Sequence, residues 1–141
     1  MCSNFLPSWT LKTNASATLI TSSAAASSEK GFSIGNNIRW RLSPKSLWVD
    51  LGHLCFFTDS YNARVYGYES SLPYSFGFSS FFYKGMRTTI TAYIPIISNR
   101  ITLNAKIGST LYFDRKTIGT GLDKINSTHK EDIQLQMKLT L

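Results

Sequence analysis

The stretch Ile133-Gln-Leu-Gln-Met-Lys-Leu-Thr-Leu141 alternates without a break to the last residue. Ile133, Leu135, Met137, Leu139 and Leu141 fall on one side of an extended backbone, and Gln134, Gln136, Lys138 and Thr140 on the other. Successive side chains of a strand point to opposite faces, so this is a strand with one apolar and one polar face. Chain ends usually fray. A strand that holds its apolar position to the end suits a sheet that must leave no edge unpaired, and a barrel in lipid is such a sheet, because an open backbone edge there finds no water.

Working outward, the same alternation recurs. Trp9, Leu11, Ala15, Ala17 and Leu19 oppose Thr10, Lys12, Asn14, Ser16 and Thr18; Phe32, Ile34, Ile38, Trp40 and Leu42 oppose Ser33, Asn37, Arg39 and Arg41. Leu47 to Phe57 reads as a third strand, apolar on both sides because Trp48, Leu54 and Phe56 lie opposite Val49, Leu51 and Cys55. Ala63–Glu69 and Leu72–Phe78 read as a fourth and fifth, Arg87–Ile94 as a sixth, Ile101–Phe113 as a seventh, and the closing stretch as an eighth. Several run roughly 9–13 residues, against a mode of about 5–6 in globular proteins and about 9–11 for a tilted strand that crosses a bilayer. With the C-terminus placed on the periplasmic side, the links 43–46, 70–71 and 96–99 fall on that side and are short. The links 23–30, 58–62, 79–85 and 114–130 fall on the other and are longer. Short periplasmic turns alternating with longer outer loops is the pattern of bacterial outer-membrane barrels.

Composition agrees. The chain has 141 residues, enough for one domain, with 43% apolar and only 16% charged residues, and it holds seven Tyr, nine Phe and three Trp. Soluble domains average about 25% charged. The net charge of +7 comes from Lys and Arg scattered singly, without the basic run of a nucleic-acid site. No run of about 18 apolar residues offers a transmembrane helix. Met1 to Trp9 lacks the basic start and apolar core of a secretory signal. The expectation is therefore a fragment of a longer protein, 1–141 forming a single barrel domain without its upstream signal peptide and N-terminal region.

From Tyr61 onward the chain resembles a known family. Tyr61-Asn-Ala-Arg-Val-Tyr-Gly-Tyr-Glu69, Leu72-Pro-Tyr-Ser-Phe76, Tyr83-Lys-Gly-Met-Arg87, Ile118-Gly-Thr-Gly-Leu-Asp-Lys-Ile125 and Asp132-Ile-Gln-Leu-Gln136 are similar to the C-terminal β-barrel region of helix-hairpin-helix (ComEA-like) bacterial outer-membrane proteins. The likeness covers residues 30–141 and is sharpest over the last eighty. It implies an outer-membrane location and a link to DNA uptake. Family members carry an N-terminal helix-hairpin-helix segment, further strands and an aromatic last residue; here Leu141 stands in that last place. The DNA-binding segment has no counterpart in these residues, so no direct nucleic-acid site is assigned.

Candidate chemistry was weighed residue by residue. Gly119-Thr-Gly121 with Asp123 imitates a phosphate loop, but no helix follows it, and glycines in a loop are the simpler reading. His53 with Asp50 or Asp59 matches a triad only by residue type, without a nucleophile elbow; a bulge at Gly52 turning His53 inward is expected. Cys2 and Cys55 form neither a zinc set nor an expected disulfide, and His53 and His129 lack ligand spacing to them. No catalytic residue, cofactor or metal is assigned.

The reading is thus an all-β, antiparallel, up-and-down transmembrane β-barrel of about eight strands, or the C-terminal part of a larger one, in the outer membrane of a Gram-negative bacterium with both termini periplasmic. Its role is structural or transport-related, porin-like and not enzymatic. Its partners are the lipid bilayer and, through Ile133–Leu141, the barrel assembly machinery. Lumen-facing candidates are Lys12, Arg39, Arg41, Asp50, Arg64, Arg87, Lys106, Asp132 and Lys138. Trp9, Trp40, Trp48, Phe57, Tyr61, Tyr93, Tyr112 and Phe113 are candidates for an aromatic girdle. An eight-strand barrel would pack those charged side chains against one another, whereas a wider one would expose them in a cationic lumen attractive to anions. The competing architecture is a soluble eight-stranded calyx with its apolar face turned inward around a small apolar ligand. A lipase- or protease-type barrel is weaker still, since no residue set stands out for it.

Overall fold

The computed structural model describes residues 8–22, 27–42, 47–75, 78–97, 100–119 and 121–140. The alternating stretches form strands β1 (Ser8–Ser22), β2 (Ser27–Arg41), β3 (Trp48–Thr58), β4 (Val65–Tyr68), β5 (Phe78–Phe81), β6 (Lys84–Ile97), β7 (Ile101–Tyr112) and β8 (His129–Leu139). Six make one antiparallel sheet in the order β1-β2-β3-β6-β7-β8, and β4 and β5 pair only with each other. The large sheet is up-and-down, each strand beside its neighbour in sequence, with the segment 59–83 as an excursion between β3 and β6. Among the described residues the sheet is not closed: β1 and β8 each have a partner on one side only.

The expected count of eight wall strands is therefore corrected to six plus a hairpin. Ala63–Glu69 shrinks to the four residues of β4, and Leu72–Phe78 gives way to a turn and β5. Ser70–Ser71 does not link two strands of the large sheet, and Glu69 and Ser70 are buried against that sheet. The stretch 59–83 leaves from one end of the sheet and returns to it. Its base is closed by the Thr58 amide donating to the Tyr83 carbonyl (2.8 Å) and the Tyr83 amide donating to Thr58 Oγ1 (2.6 Å).

Register explains the two faces. Pairing runs unshifted across β1, β2, β3 and β6, and across β6 and β7 until an irregularity between Pro95 and Ile97. It lines up Arg39, Asp50, Thr91, Lys106 and Gln134 in one row, and Leu11, Ile38, Leu51, Ile90, Ile107 and Ile133 in a row on the opposite side. The bulge expected at Gly52 is absent: Gly52 pairs with Asn37 and Thr89 in register, which leaves His53 on the apolar side, where it shares a hydrogen bond with Thr88 Oγ1 (3.0 Å). Phe76, Leu141, and the links 43–46 and 98–99 fall outside the described residues, so the strand expected to end at Leu141 is described as far as Leu139.

Burial is inverted relative to a protein that folds around an apolar core. Ser33, Asn37, Asp50, Thr89, Thr91, Asn104, Lys106 and Thr110 are buried, while Trp9, Leu11, Leu135 and Met137 are 66% to 71% exposed. On the central strands Leu51, Ile90 and Ile107 are still about half exposed. A small apolar cluster of Leu54, Phe56, Val65 and Phe81 sits between β3 and the hairpin, with Tyr112 packed against it.

Candidate functional site: the polar face and its hairpin

The polar side of the sheet is a seat for the segment 59–83. Leu54 and Phe56, which made β3 look apolar on both sides, supply the greasy part of that seat. Phe56 is fully buried with its ring 5.1 Å from Phe81 and 5.9 Å from Tyr112. Two glycines let the backbones approach. A side chain at Gly31 would collide with the Ala63 carbonyl, and one at Gly67 would come within 2.6 Å of Leu54 Cδ2 and 3.0 Å of the Phe81 ring. Side-chain hydroxyls on the sheet serve the hairpin backbone directly, with Ser16 donating to the Tyr66 carbonyl (3.2 Å) and Thr18 to the Arg64 carbonyl (3.3 Å). Such bonds give hairpin carbonyls that face the sheet a partner on it.

Below this apolar seat lies an ionic network. Glu69, which follows β4, reaches two cations on two strands of the large sheet: Arg87 of β6 through its Nε, and Lys106 of β7 through Nζ at 2.7 Å. Arg87 also forks onto Asp132 of β8, with Nη1 to Oδ1 at 2.7 Å and Nη2 to Oδ2 at 3.1 Å, and donates to Thr110 Oγ1 at 2.8 Å. On the other flank Asp50 accepts from Arg39 Nε and from Asn37 Nδ2, both at 3.0 Å. Arg39 Nη2 donates to Ser70 Oγ (3.1 Å), and Thr91 Oγ1 to the Ser70 carbonyl (3.3 Å). Gln136 Nε2 holds the turn beyond by donating to the Pro73 carbonyl (2.9 Å). Buried charge is tolerable only when paired and hydrogen-bonded, and the buried Glu69 and Asp50 both meet that condition, while the half-buried Asp132 is paired as well.

No protein-family model, curated protein or solved structure matches this chain. The site is therefore read from its geometry.

Lys12, Arg39, Arg41, Asp50, Arg87, Lys106, Asp132 and Lys138 share the polar side of the sheet by register. Arg64 belongs to the excursion instead, where Nε donates to the Tyr66 hydroxyl (3.0 Å). The aromatic candidates divide. Trp9 and Trp40 stack on the apolar side with centroids 5.4 Å apart, and Phe57 and Phe113 are exposed. Trp48 and Tyr93 stack on the polar side at 5.8 Å, Tyr112 packs on Phe56, and Tyr61 lies in the excursion against Phe82. A ring of aromatics on the apolar side would thus not include Trp48, Tyr93 or Tyr112. A polar row that sequence reasoning missed crosses the apolar side: Thr13 donates to Asn36 Oδ1 (2.8 Å), and His53 pairs with Thr88. Its members are bonded to one another across strands.

The Gly119–Gly121 segment lies in the loop between β7 and β8, with a single 3-10 turn at Gly121–Asp123 and Ile118 bridged to Ile125. Gly119 and Gly121 both adopt positive φ (76° and 65°), the conformation for which a loop selects glycine. Thr120 and Cys2 fall outside the described residues. Among the described residues no three His, Cys, Asp or Glu side chains gather as a metal site, and Cys55 is a free thiol. No helix there is long and apolar enough to cross a membrane, which says nothing of strands.

Proposed function

We propose that this chain forms an arc of the wall of a transmembrane β-barrel in a bacterial outer membrane, apolar side to lipid and polar side to the lumen, with 59–83 folded inside as a plug. One observation carries the reading: on the four central strands, β2, β3, β6 and β7, the polar side is mostly buried or covered, while on all six strands large aliphatic or aromatic side chains on the other side are exposed. In water such a face is a liability; in hydrocarbon it is the solvated one. Its height suits a bilayer. Ile101 to Leu111 on β7 covers ~34 Å at ~3.4 Å per residue, or ~26 Å along the membrane normal at a tilt of about 40°, against an apolar band of about 25 Å.

The plug sets the size of the barrel. Packed sheets lie about 10 Å apart, so a hairpin enclosed on both sides calls for a lumen ~20 Å between backbones. At ~4.8 Å per strand and a tilt of about 40°, that circumference takes about ten strands. Six strands are then part of a larger wall. The role is structural or transport-related, with both chain ends on the side of the short links and Ile133–Leu141 as the segment offered to the assembly machinery. The likeness to helix-hairpin-helix outer-membrane proteins supports the same location and the tie to DNA uptake, without a DNA-binding residue here.

The test is fluorescence in phospholipid vesicles with brominated acyl chains, using a Trp48→Phe variant that keeps Trp9 and Trp40. Strong quenching of the stacked pair is expected, with slower gel mobility after boiling. A monodisperse, detergent-free monomer whose tryptophans ignore brominated lipid would overturn the reading and favour the calyx.

A further inference from the structure

Cations outnumber carboxylates on the polar side, and part of the surplus gathers in one place. Near the end of the sheet that carries the link between β2 and β3, Lys12, Arg39 and Arg41 form a strip on β1 and β2. Lys12 pairs with Asn37, so the strip extends four residues along β2, ~13 Å at ~3.4 Å per residue. Asp50 is the one carboxylate paired into it, and both its oxygens are taken, by Arg39 and Asn37. Lys12 lies 5.2 Å above the Tyr68 ring, a contact that leaves its charge intact. Arg41 stands directly across from Trp48 and has no carboxylate within ion-pair reach among the described residues. The strip has an aromatic floor: the Arg39 guanidinium lies 4.4 Å from the Trp48 ring, itself stacked on Tyr93.

We infer that this strip is an anion-binding surface in the lumen and makes the barrel select anionic solutes over cationic ones. The inference rests on the barrel reading above and adds the class of solute. Charges of one sign between low-dielectric walls focus the potential and raise the local concentration of counter-ions. A guanidinium whose fork is unspent, as in Arg41, is the group that takes carboxylate or phosphate oxygens in pairs. Trp48 reports on the strip from within it.

The experiment uses a protein whose remaining tryptophan is Trp48 (Trp9→Phe with Trp40→Phe), inserted in vesicles at low ionic strength. Quenching by iodide and by caesium is normalised to free tryptophan. A potential of ~1 kT enriches an anion and depletes a cation by about 2.7-fold each, so iodide is expected to quench about sevenfold more effectively than caesium. In 1 M chloride, where screening acts within about 3 Å, the ratio should fall toward one. Lys12→Gln with Arg41→Gln should lower the iodide constant several-fold in this protein and, introduced separately into the Trp48→Phe variant, leave Trp9 and Trp40 as sensitive to brominated lipid as before. Equal quenching by both ions, a Trp48 closed to both, or an iodide constant unmoved by the double substitution would each overturn the inference. Brominated-lipid quenching of Trp9 and Trp40 reads the membrane placement separately, so the two ideas fail on different signals.

Discussion

Glu69→Gln tests whether the hairpin is latched to the wall by charge. Glu69 and Lys106 are 3% and 5% exposed, so neither has water to fall back on. The substitution keeps the shape and removes the charge. Arg87 retains Asp132 and Thr110, so its loss is partial, but Lys106 has no second carboxylate among the described ion pairs. Removing one partner of a buried pair costs about 3–5 kcal/mol, mostly from the charge left behind. The lower end applies, because Gln still offers Lys106 a carbonyl. About 3 kcal/mol corresponds to about 150-fold in an opening equilibrium. Amide exchange in vesicles is the assay, comparing β4 and β5 with β7. Exchange in Val65–Tyr68 and Phe78–Phe81 should quicken by about that factor while Ile101–Tyr112 stays protected, since local opening need not open the wall. Glu69→Gln with Lys106→Gln should recover most of the protection, because no ammonium is then stranded. Unchanged hairpin exchange, equal loss of protection in β7, or no recovery in the double variant would refute the latch.

Three further outcomes follow from the same geometry. Gly67→Val places atoms inside contact distance of Leu54 and Phe81, so the excursion should become a protease-sensitive loop while the six-strand sheet keeps its circular dichroism. Phe56→Ala empties an aromatic position between hairpin and sheet that is the one fully buried among the described residues; it should cost about 3–5 kcal/mol, read as a lower denaturant midpoint at unchanged slope. Ile107→Arg sets a charge at the middle of the outward row, at a position 52% exposed. It should cost about 2–4 kcal/mol in vesicle unfolding if that row meets hydrocarbon, and near zero if it meets water.

The six long strands were legible because their signal is local. Alternation needs only the neighbours two residues away, and it placed eight of the nine charged lumen candidates on one side before any partner was known. The partners were not legible. Glu69 looked like the approach to the short Ser70–Ser71 link, and nothing nearby announces Arg87 or Lys106, 18 and 37 residues on. His53 was misplaced for the opposite reason: a polar residue on an apolar side invited a bulge, when Thr88 across the strand already answers its hydrogen bond.

The hairpin has two marks, one in the sequence and one visible only in the structure. One is the pair Leu54 and Phe56, apolar where parity demands polar residues. A strand facing water or a polar lumen has no use for them, so they imply something apolar laid over that face. The other is length. β4 and β5 have four residues each, while the wall strands have 11 to 15. Four residues reach ~14 Å even without tilt, far short of the ~30 Å hydrocarbon core. Parity alone counts every alternating stretch as wall. Parity combined with reach separates strands long enough to cross a bilayer from strands that are not, and here it divides eight candidates into six long strands and a hairpin laid over them.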